Sequence, residues 1–478
     1  MQQCDIGIIG LGTMGRNLVL NIGDRGFSAA GYDKDFNKID LLKKEAGQRK
    51  IVAAKSLEDF LGLLKKPRRF MMLVPAGRAV DAIIEEALPF MEKGDIIIDG
   101  GNSHYTDTDR RIRELSGKDI HFMGVGISGG EQGARLGPSM MPGGSQEAYN
   151  HLKDIFEAVA ARVNGEPCVA YMGKGSAGHY VKMVHNGIEY AIIQLISEAY
   201  HLMKTGLGLN DDELSANFEK WNNEELHSFL IEITARIFRM EDKDLSEITK
   251  EKKEHRLIDS ILDRARQKGT GKWTSQDAMD LQIPLPSIDA AVMMRDLSSD
   301  KESRVKNAKT LKGPSPSYKG NKDEIIPRLK NALYFSMITS YAQGMALLKK
   351  ASEAYSYGTD LKTVASIWRG GCIIRSLILQ DIMNAYGKES GLNNLIMDEK
   401  FSGLLNRMQE DVRFVVTNAV NMGIPVPALS GSLTYFDAYR SPWLPANLVQ
   451  AQRDFFGAHT YERIDREGVF HTEWLKGE

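Results

Sequence analysis

The stretch IGIIGLGTMGRNLVLNI, residues 6–22, decides the fold class of this chain. A β-branched run is followed by a turn with Gly10, Gly12 and Gly15, and then by apolar residues at the spacing of an amphipathic helix. In such a unit the first glycine permits the tight turn, the second lets the backbone approach a pyrophosphate, and the third allows close helix–sheet packing. Amides at the helix N-terminus add partial positive charge. The stretch therefore predicts a dinucleotide-binding site, with a purely structural glycine turn as the alternative.

The rest of the N-terminal region repeats this rhythm. Short strand-like runs, each followed by turn residues or a helix start, occur at SAAGYD (28–33), FMMLVPAG (70–77), DIIIDGG (95–101) and HFMGVGISGG (121–130). Alternating strands and helices are typical of a parallel sheet with crossover helices. We predict a Rossmann-like α/β domain over residues 1–177.

From residue 178 the pattern changes to long segments with apolar residues three and four apart, as in YVKMVHNGIEYAIIQLISEAYHLM (180–203). This predicts a large all-α domain over residues 178–441. Residues 442–478 hold too few apolar side chains for a core, so we expect a short C-terminal tail that packs on another surface. Between residues 241 and 268 both signs of charge are dense, which favours a solvated helix face over a binding patch.

Composition narrows the classes of function. The 478 residues include 61 Lys and Arg against 63 Asp and Glu, a balance that argues against nucleic-acid binding and against a basic membrane-surface protein. Three widely spaced cysteines, Cys4, Cys168 and Cys372, offer neither a disulfide framework nor a metal-binding spacing. We find no export signal and no apolar run of about 18 residues. We expect a cytoplasmic protein without a metal or a membrane span.

Four polar residues share one face of the helix predicted at 180–203. Lys182, His185, Asn186 and Glu189 lie at positions i, i+3, i+4 and i+7. An exposed stripe of salt bridges is one explanation. The apolar residues around them instead favour a helix beneath a cleft, where a lysine loses solvation, its pKa falls and it can act as a general base. A nearby carboxylic acid could then return a proton, as oxidation of a hydroxyl followed by protonation of an enediol requires.

Two glycine-containing segments outline a second ligand surface. DGGNS places Asn102 at the carboxyl end of a predicted strand, where open α/β sheets bind ligands. A later turn offers Ser128, Gly129 and Gly130, whose exposed amides could hold a carboxylate. Each segment alone would also suit an ordinary turn, but together they predict a substrate rim.

Asp33 ends the second predicted strand and bears on the choice of coenzyme. A carboxylate there accepts hydrogen bonds from the free ribose hydroxyls of NAD and repels the additional phosphate of NADP. Lys34 and Lys38 could partly screen that phosphate, and Asp33 could instead cap a turn. The residues by themselves favour NAD over NADP.

Six motifs, in this order, resemble those of the decarboxylating 6-phosphogluconate dehydrogenases of the pentose phosphate pathway. They are GLGTMGRNL, IIDGGNS, SGGEQGARLGPSMMPGG, VKMVHNGIEY, QKGTGKWT and LPANLVQAQRDFFGAHTYE, and the resemblance covers essentially the whole chain. It implies a Rossmann-like coenzyme domain, a helical domain forming most of a homodimer interface, and a tail that reaches into the partner subunit. It also implies 6-phosphogluconate as substrate, and ribulose 5-phosphate and carbon dioxide as products.

The resemblance further implies roles for individual residues. Lys182 resembles the base that takes the proton of the substrate's 3-hydroxyl, and Glu189 resembles the acid that protonates carbon 1 of the enediol. Positions matching the family's substrate-binding residues are Asn102, Ser128, Gly129, Gly130, His185, Asn186, Tyr190, Lys268, Thr270 and Arg295, joined from the other subunit's tail by the positions Arg453 and His459. The predicted coenzyme-binding residues are Gly10, Leu11, Gly12, Thr13, Met14, Gly15, Asp33, Lys34, Asp35, Val74, Pro75, Ala76 and Asn102.

The chain departs from many NADP-using members of that family at two places. Those members carry Asn-Arg-Thr where this chain has Asp33, Lys34 and Asp35, and many relatives carry a lysine where it has Pro75. The missing arginine and the added carboxylates predict NAD as the preferred coenzyme, with NADP tolerated.

Two other functions compete with this interpretation. Another β-hydroxyacid dehydrogenase would share the glycine turn and a lysine on a central helix, but it gives no reason for Lys268, Arg295 and Arg453. A dinucleotide-sensing protein on an inherited fold would not need Lys182 and Glu189 on one helix face.

Overall fold

The structure of the protein is a computed structural model, which describes residues 3–244 and 255–475. Two compact units make up the chain, Met1–Ser432 and Leu433–Glu478. The first unit contains a large sheet with its helices, followed by many further helices, and the second is a small unit of helix and hairpin.

A seven-stranded sheet forms the N-terminal part of the first unit. Its strands are β1 (Ile6–Ile9), β2 (Ala29–Tyr32), β3 (Ile51–Ala53), β4 (Arg69–Met72), β5 (Ile96–Asp99), β6 (His121–Ser128) and β7 (Ser139–Gly144). They lie in the order β3-β2-β1-β4-β5-β6-β7, and every pairing is parallel except β6 with β7. A small antiparallel pair, β8 (Arg162–Val163) and β9 (Glu166–Pro167), follows.

Helices cover both faces of the sheet. They are α1 (Thr13–Asp24), α2 (Phe36–Ala46), α3 (Leu57–Gly62), α4 (Arg78–Ala87), α5 (Tyr105–Ser116), α6 (Gly130–Leu136) and α7 (Gln146–Val159). Because side chains alternate between the faces of a strand, β1 and its neighbours feed two apolar cores. Ile8 and Val125 belong to one core, and Ile9 and Ile97 belong to the other. Both faces of the sheet are therefore buried, as is typical of parallel strands.

The predicted Rossmann-like architecture is confirmed, with a difference at the last strand. The sequence rhythm indicated a parallel sheet, but β7 runs antiparallel to β6. Only residues 129–138 connect the two strands, and most of them form the short helix α6. A parallel return needs a crossover of about a dozen residues or more. The short connection therefore brings the chain back in the opposite direction.

The predicted helical region is also confirmed. Its helices are α8 (Ala177–His201), α9 (Asp211–Asn222), α10 (Phe229–Phe238), α11 (Leu257–Ser260), α12 (Thr270–Asp280), α13 (Pro286–Ser299), α14 (Lys301–Asn307), α15 (Lys322–Ala354), α16 (Leu361–Trp368), α17 (Ile378–Lys388), α18 (Glu399–Asn421) and α19 (Pro427–Tyr439). Short 3₁₀ or π turns lie at Leu88–Phe90, Leu202–Gly206 and Leu395–Met397.

Helix α8 is buried nearly all round and joins the sheet to the helical region. It packs on β6 and β7 and on α12, α13 and α15. At Gly178 an added β-carbon would lie 2.3 Å from the main-chain oxygens of Gly124 and Met141. At Gly126 of β6 it would lie 2.3 Å from the β-carbon of Lys182. Glycines on both sides thus let the helix lie directly against the strand.

The charge-dense segment departs from its prediction. Residues 245–254 lie outside the described part of the chain. In the rest of 241–268 most side chains are exposed, and the described helical residues there are 243–244 and the four-residue α11. The predicted solvated surface is therefore present, and the described residues are helical only in part. Among the helices of residues 3–244 and 255–475, none combines the length and the hydropathy that a transmembrane span requires.

The second unit contains α20 (Ala446–Gly457) and a hairpin of β10 (Tyr461–Glu462) and β11 (Val469–Phe470). Asp454 ties helix to hairpin. Its carboxylate accepts hydrogen bonds from the main-chain N–H groups of Thr460 and Thr472 and from the side chains of His471 and Trp474. Burial opposes the charge, but these hydrogen bonds prevail and lower the pKa of Asp454 to about 2.

Candidate active site

The glycine turn after β1 opens onto a cavity at the carboxyl edge of the sheet. Gly10 has φ +95°, and an added β-carbon would lie 2.5 Å from the main-chain oxygen of Leu73. At Gly15 an added β-carbon would lie 1.8 Å from the oxygen of Gly10, whereas at Gly12 it would meet nothing within 4 Å. The first and third glycines are therefore required by packing, and the second leaves open space for a ligand.

Two adjoining cavities follow from this turn. The first, of about 380 Å³, is lined by six of the predicted coenzyme residues: Gly10, Gly12, Asp33, Lys34, Val74 and Pro75. The second, of about 690 Å³, shares two of these and adds Met14, Ala76, Asn102 and Lys268. Of the other predicted coenzyme residues, Leu11 and Gly15 are buried, Thr13 begins α1 and Asp35 caps α2. The open glycine turn and the paired cavities fit a dinucleotide.

The charges at the rim of the first cavity are already paired. Asp33 accepts a hydrogen bond from the N–H of Leu11 at 2.7 Å, and its carboxylate lies 3.4 Å from Lys38 Nζ. Lys34 Nζ lies 2.6 Å from a carboxylate oxygen of Glu86, which raises the pKa of Lys34. Among the described residues that line this cavity there is no arginine. The charges of the described lining residues thus nearly cancel, and both lysines among them are already paired with carboxylates.

The four polar residues of α8 do converge with the turn after β6. His185 Nδ1 lies 3.5 Å from Lys182 Nζ, 3.1 Å from Asn186 Oδ1 and 3.9 Å from Glu189 Oε2. On its other side, His185 Nε2 lies 3.3 Å from Ser128 Oγ. The His185 ring is therefore the centre of the cluster, held between the catalytic candidates and the substrate rim.

Burial sets the protonation of this cluster. It lowers the pKa of Lys182, although the Glu189 carboxylate opposes the shift. Burial and the charge of Lys182 hold the pKa of His185 well below its usual value. Burial raises the pKa of Glu189 against the charges of Lys182 and Arg295. Each shift favours the neutral form, which gives an amine able to accept a proton and a carboxyl able to donate one.

The substrate rim is closed by α12. Asn186 Nδ2 donates to Thr270 Oγ1 at 3.1 Å, which ties α8 to the first residue of that helix. Gly129 has φ +118°, and an added β-carbon would lie 2.5 Å from the oxygen of Gly371. Gly129 therefore has a packing role, while at Gly130 a β-carbon would meet nothing within 4 Å.

Basic side chains lie at the far end of the cluster. The guanidinium of Arg295 stacks on the ring of Tyr190 at 3.4 Å and donates to the oxygen of Arg266. Lys268 is exposed and lines the second cavity. These groups suit an anion, since stacking holds the arginine in place and leaves other N–H groups of its fork available.

The remaining two predicted residues belong to the second unit. Arg453 lies on α20 and donates to Gln450 Oε1, and His459 follows that helix with its ring edge-on to Phe456. Both are exposed within their unit.

Comparison with known proteins adds the family. The profile described as the NAD binding domain of 6-phosphogluconate dehydrogenase matches residues 5–173, and the profile for that enzyme's C-terminal domain matches residues 178–474. The chain belongs to the 6-phosphogluconate dehydrogenase family.

Relatives with the same name match over their whole length. The decarboxylating 6-phosphogluconate dehydrogenase of Lactococcus lactis subsp. lactis is 51% identical over 99% of both chains. The NADP(+)-dependent, decarboxylating enzyme of Bacillus subtilis is 51% identical over 100% of both. The solved 6-phosphogluconate dehydrogenase of Plasmodium falciparum, determined in its apo form, with NADP+ and with 6-phosphogluconate, is 45% identical with a TM-score of 0.94. That match covers 98% of this chain and 100% of the other.

Arg111 is a buried residue that connects two loops of the cleft, and it lies outside the six family motifs. Its buried guanidinium donates to Asp81 at 2.8 Å and to the oxygen of Gly77 at 3.1 Å, and it lies 3.4 Å from Asp99 and 3.5 Å from Ser103. It thus joins the loop after β4 to the loop after β5. An arginine on an amphipathic helix gives no sequence signal for this, since its partners come from two other segments.

Proposed function

We propose that this chain oxidises and decarboxylates 6-phosphogluconate to ribulose 5-phosphate and carbon dioxide while reducing a nicotinamide dinucleotide. The observation that carries the proposal is the buried cluster in which Lys182 and Glu189 flank His185, next to the dinucleotide cavities. The names of the full-length relatives support the same activity.

The side chains of the cluster can carry out the successive steps of this reaction. A bound nicotinamide dinucleotide supplies the two-electron oxidant. Lys182, whose pKa is lowered by burial, accepts the proton of the substrate's 3-hydroxyl at Nζ. The resulting keto acid loses carbon dioxide, and Lys182 returns the proton to the 3-oxygen, which gives the enediol. Glu189, whose pKa is raised by burial, donates a proton to carbon 1 of the enediol while Lys182 takes up the hydroxyl proton that the new ketone releases. Ser128 and Asn186 hold hydroxyl or carboxylate groups, and Arg295 binds the phosphate.

The direct test is turnover. Purified protein with 6-phosphogluconate should produce reduced coenzyme, followed by its absorbance, together with equal amounts of carbon dioxide and ribulose 5-phosphate. Reduction of coenzyme without release of carbon dioxide, or turnover with unphosphorylated hydroxy acids only, would contradict the proposal.

We also propose that NAD is preferred over NADP. The support is electrostatic, because the 2′-phosphate of NADP would meet Asp33, Asp35 and Glu86 at a rim where Lys34 and Lys38 are already paired. The named coenzyme of the B. subtilis relative and of the P. falciparum structure is NADP+. The proposal therefore rests on the charges of this chain alone.

Initial rates with NAD and with NADP, measured side by side, test this preference. Asp33→Asn should shift the ratio of kcat/KM toward NADP by about 1–2 kcal/mol, on the scale of a charged hydrogen bond. Asp40→Asn, which removes one exposed carboxylate elsewhere on α2, should leave the ratio unchanged. Higher kcat/KM with NADP in the wild type would refute the preference.

We propose that the protein is a homodimer whose active sites are shared. The support lies in the second unit, where Trp443, Leu448 and Phe456 are more than half exposed and need a covering surface. The partner subunit would then receive Arg453 and His459 at the phosphate end of its site.

Complementation separates shared from independent sites. Lys182→Met and Arg453→Ala should each be inactive, yet co-expressed mixed dimers should regain activity, because one site then has both native residues. Mixtures no more active than the separate variants would contradict the shared site.

The division into residues 1–177, 178–441 and 442–478 remains a proposal, as does a cytoplasmic location. The first boundary is supported by the two profiles, which meet between residues 173 and 178. The compact units instead divide at 432–433, within α19. The location is supported by Cys4, Cys168 and Cys372, all free buried thiols.

A further inference from the structure

A buried carboxylate outside the reacting cluster receives three tyrosine hydroxyls. Asp277, on α12, accepts from Tyr105 Oη at 2.5 Å and from Tyr355 Oη at 2.7 Å on one oxygen, and from Tyr180 Oη on the other. Asp277 is only 3% exposed. A carboxylate has about four acceptor positions, so these three donors nearly saturate it and compensate its removal from water.

The three tyrosines come from segments that carry different parts of the active site. Tyr105 is the first residue of α5, three residues after Asn102. Tyr180 lies on α8, two residues before Lys182. Tyr355 follows the long helix α15. Their rings also contact one another, with centroids 5.1 to 5.8 Å apart. Asp277 is therefore the point at which the sheet region, α8 and α12 are tied together.

The helix that carries Asp277 also carries the phosphate end of the substrate rim. Thr270 begins α12, and Lys268 lies two residues before it. The same helix is pinned to α8 where Thr274 Oγ1 donates to the oxygen of Met183 at 3.0 Å. Trp273 of α12 lies edge-on to the ring of His104 at 4.9 Å, and both side chains line the second cavity. A shift of α12 would therefore move the phosphate-binding side chains relative to Asn102 and Lys182.

We propose that Asp277 is a positioning residue that, through the hydroxyls of Tyr105, Tyr180 and Tyr355, sets the distance between the phosphate end and the reacting end of the substrate site. This role rests on the proposed function. It requires donors that keep their protons. Burial, reinforced by the Asp277 charge, raises the pKa of all three phenols, that of Tyr355 to about 12.

One tyrosine of the same cluster provides a matched control. Tyr357 packs against Tyr180 and Tyr355, with ring centroids 5.6 and 5.5 Å away, but its hydroxyl bonds to Ser176 Oγ at 2.8 Å and not to Asp277. Tyr355→Phe and Tyr357→Phe thus each remove one hydroxyl from one cluster, and only the first removes a hydrogen bond to the carboxylate.

Steady-state kinetics and amide hydrogen exchange of residues 268–280 test the proposal. Tyr355→Phe should raise the KM for 6-phosphogluconate by about tenfold, the scale of a hydrogen bond to a charged group. The variant should keep kcat and the KM for coenzyme within about threefold of the wild-type values. Amide exchange in α12 should become faster than in the wild type. Asp277→Asn should do the same more strongly, because an amide accepts at one atom only. Tyr357→Phe should change neither readout.

The outcomes separate this proposal from the proposed function. Unchanged exchange in α12 for both Tyr355→Phe and Asp277→Asn overturns the tie. Faster exchange with an unchanged KM for 6-phosphogluconate, or an equal rise in KM for Tyr357→Phe, overturns the positioning role. Wild-type protein without turnover on 6-phosphogluconate refutes the proposed function, while the exchange of α12 still decides the tie.

Discussion

Lys182→Met separates the chemistry of the buried lysine from its structural effect. Methionine matches the length of lysine and suits an apolar site, so the packing of α8 against Gly126 should persist. The variant loses only the proton acceptor. Loss of a general base costs about 10²–10⁴ in kcat, equivalent to about 3–5 kcal/mol of transition-state stabilisation.

The same substitution should make the folded protein more stable at neutral pH. Lys182 is only 6% exposed, and burial lowers its pKa below the ordinary value of 10.5. Below the lowered pKa the folded state must bury a charge, and this cost disappears as pH rises from that pKa to 10.5, where the unfolded chain also loses its proton. Each unit of lowering corresponds to about 1.4 kcal/mol. Methionine removes the cost throughout.

Two measurements on the purified variant check both effects. Initial rates with 6-phosphogluconate should fall by about 10²–10⁴. Titration with reduced coenzyme should show unchanged binding, because Lys182 does not line either coenzyme cavity. Urea unfolding at neutral pH should show a more stable variant, with the advantage shrinking toward pH 10.5. Retention of more than about a tenth of kcat would remove Lys182 from its role as base, and a less stable variant at neutral pH would refute the burial argument.

Packing and buried charge lead to three more predictions. Gly178→Ala should destabilise the fold by about 2 kcal/mol, since its methyl group would lie 2.3 Å from two main-chain oxygens; Gly62→Ala, with open space, is the control in thermal melts, and equal melting temperatures would contradict this. Arg111→Met leaves Asp99 buried without its cation and should cost about 3 kcal/mol in urea unfolding; a loss below about 1 kcal/mol would show that the carboxylate is otherwise compensated. Asp454→Asn should speed amide exchange in residues 454–474 at neutral pH, whereas the wild type should lose this protection only as pH falls from 3.8 toward 2; equal exchange at neutral pH would remove Asp454 from its role.

The charge pairs at the coenzyme rim could be predicted from the sequence only in part. The sequence placed Asp33, Lys34 and Lys38 near the end of β2, and left open whether the lysines would screen a phosphate. The structure pairs Lys34 with Glu86, a residue 52 positions away, and Lys38 with Asp33. Local spacing could not reveal the first pairing, because Glu86 reaches the rim only through the packing of α4.

Local patterns determined the parts of this protein that depend on near neighbours. The glycine turn at Gly10 and the shared face of Lys182 and Glu189 follow from the geometry of a turn and a helix, which a few consecutive residues specify. Tertiary structure alone decided the burial that shifts the pKa values of the α8 cluster. It also decided the meeting of three tyrosines at Asp277. These features join segments far apart in the chain, and their energies depend on which surfaces exclude water, which no local pattern records.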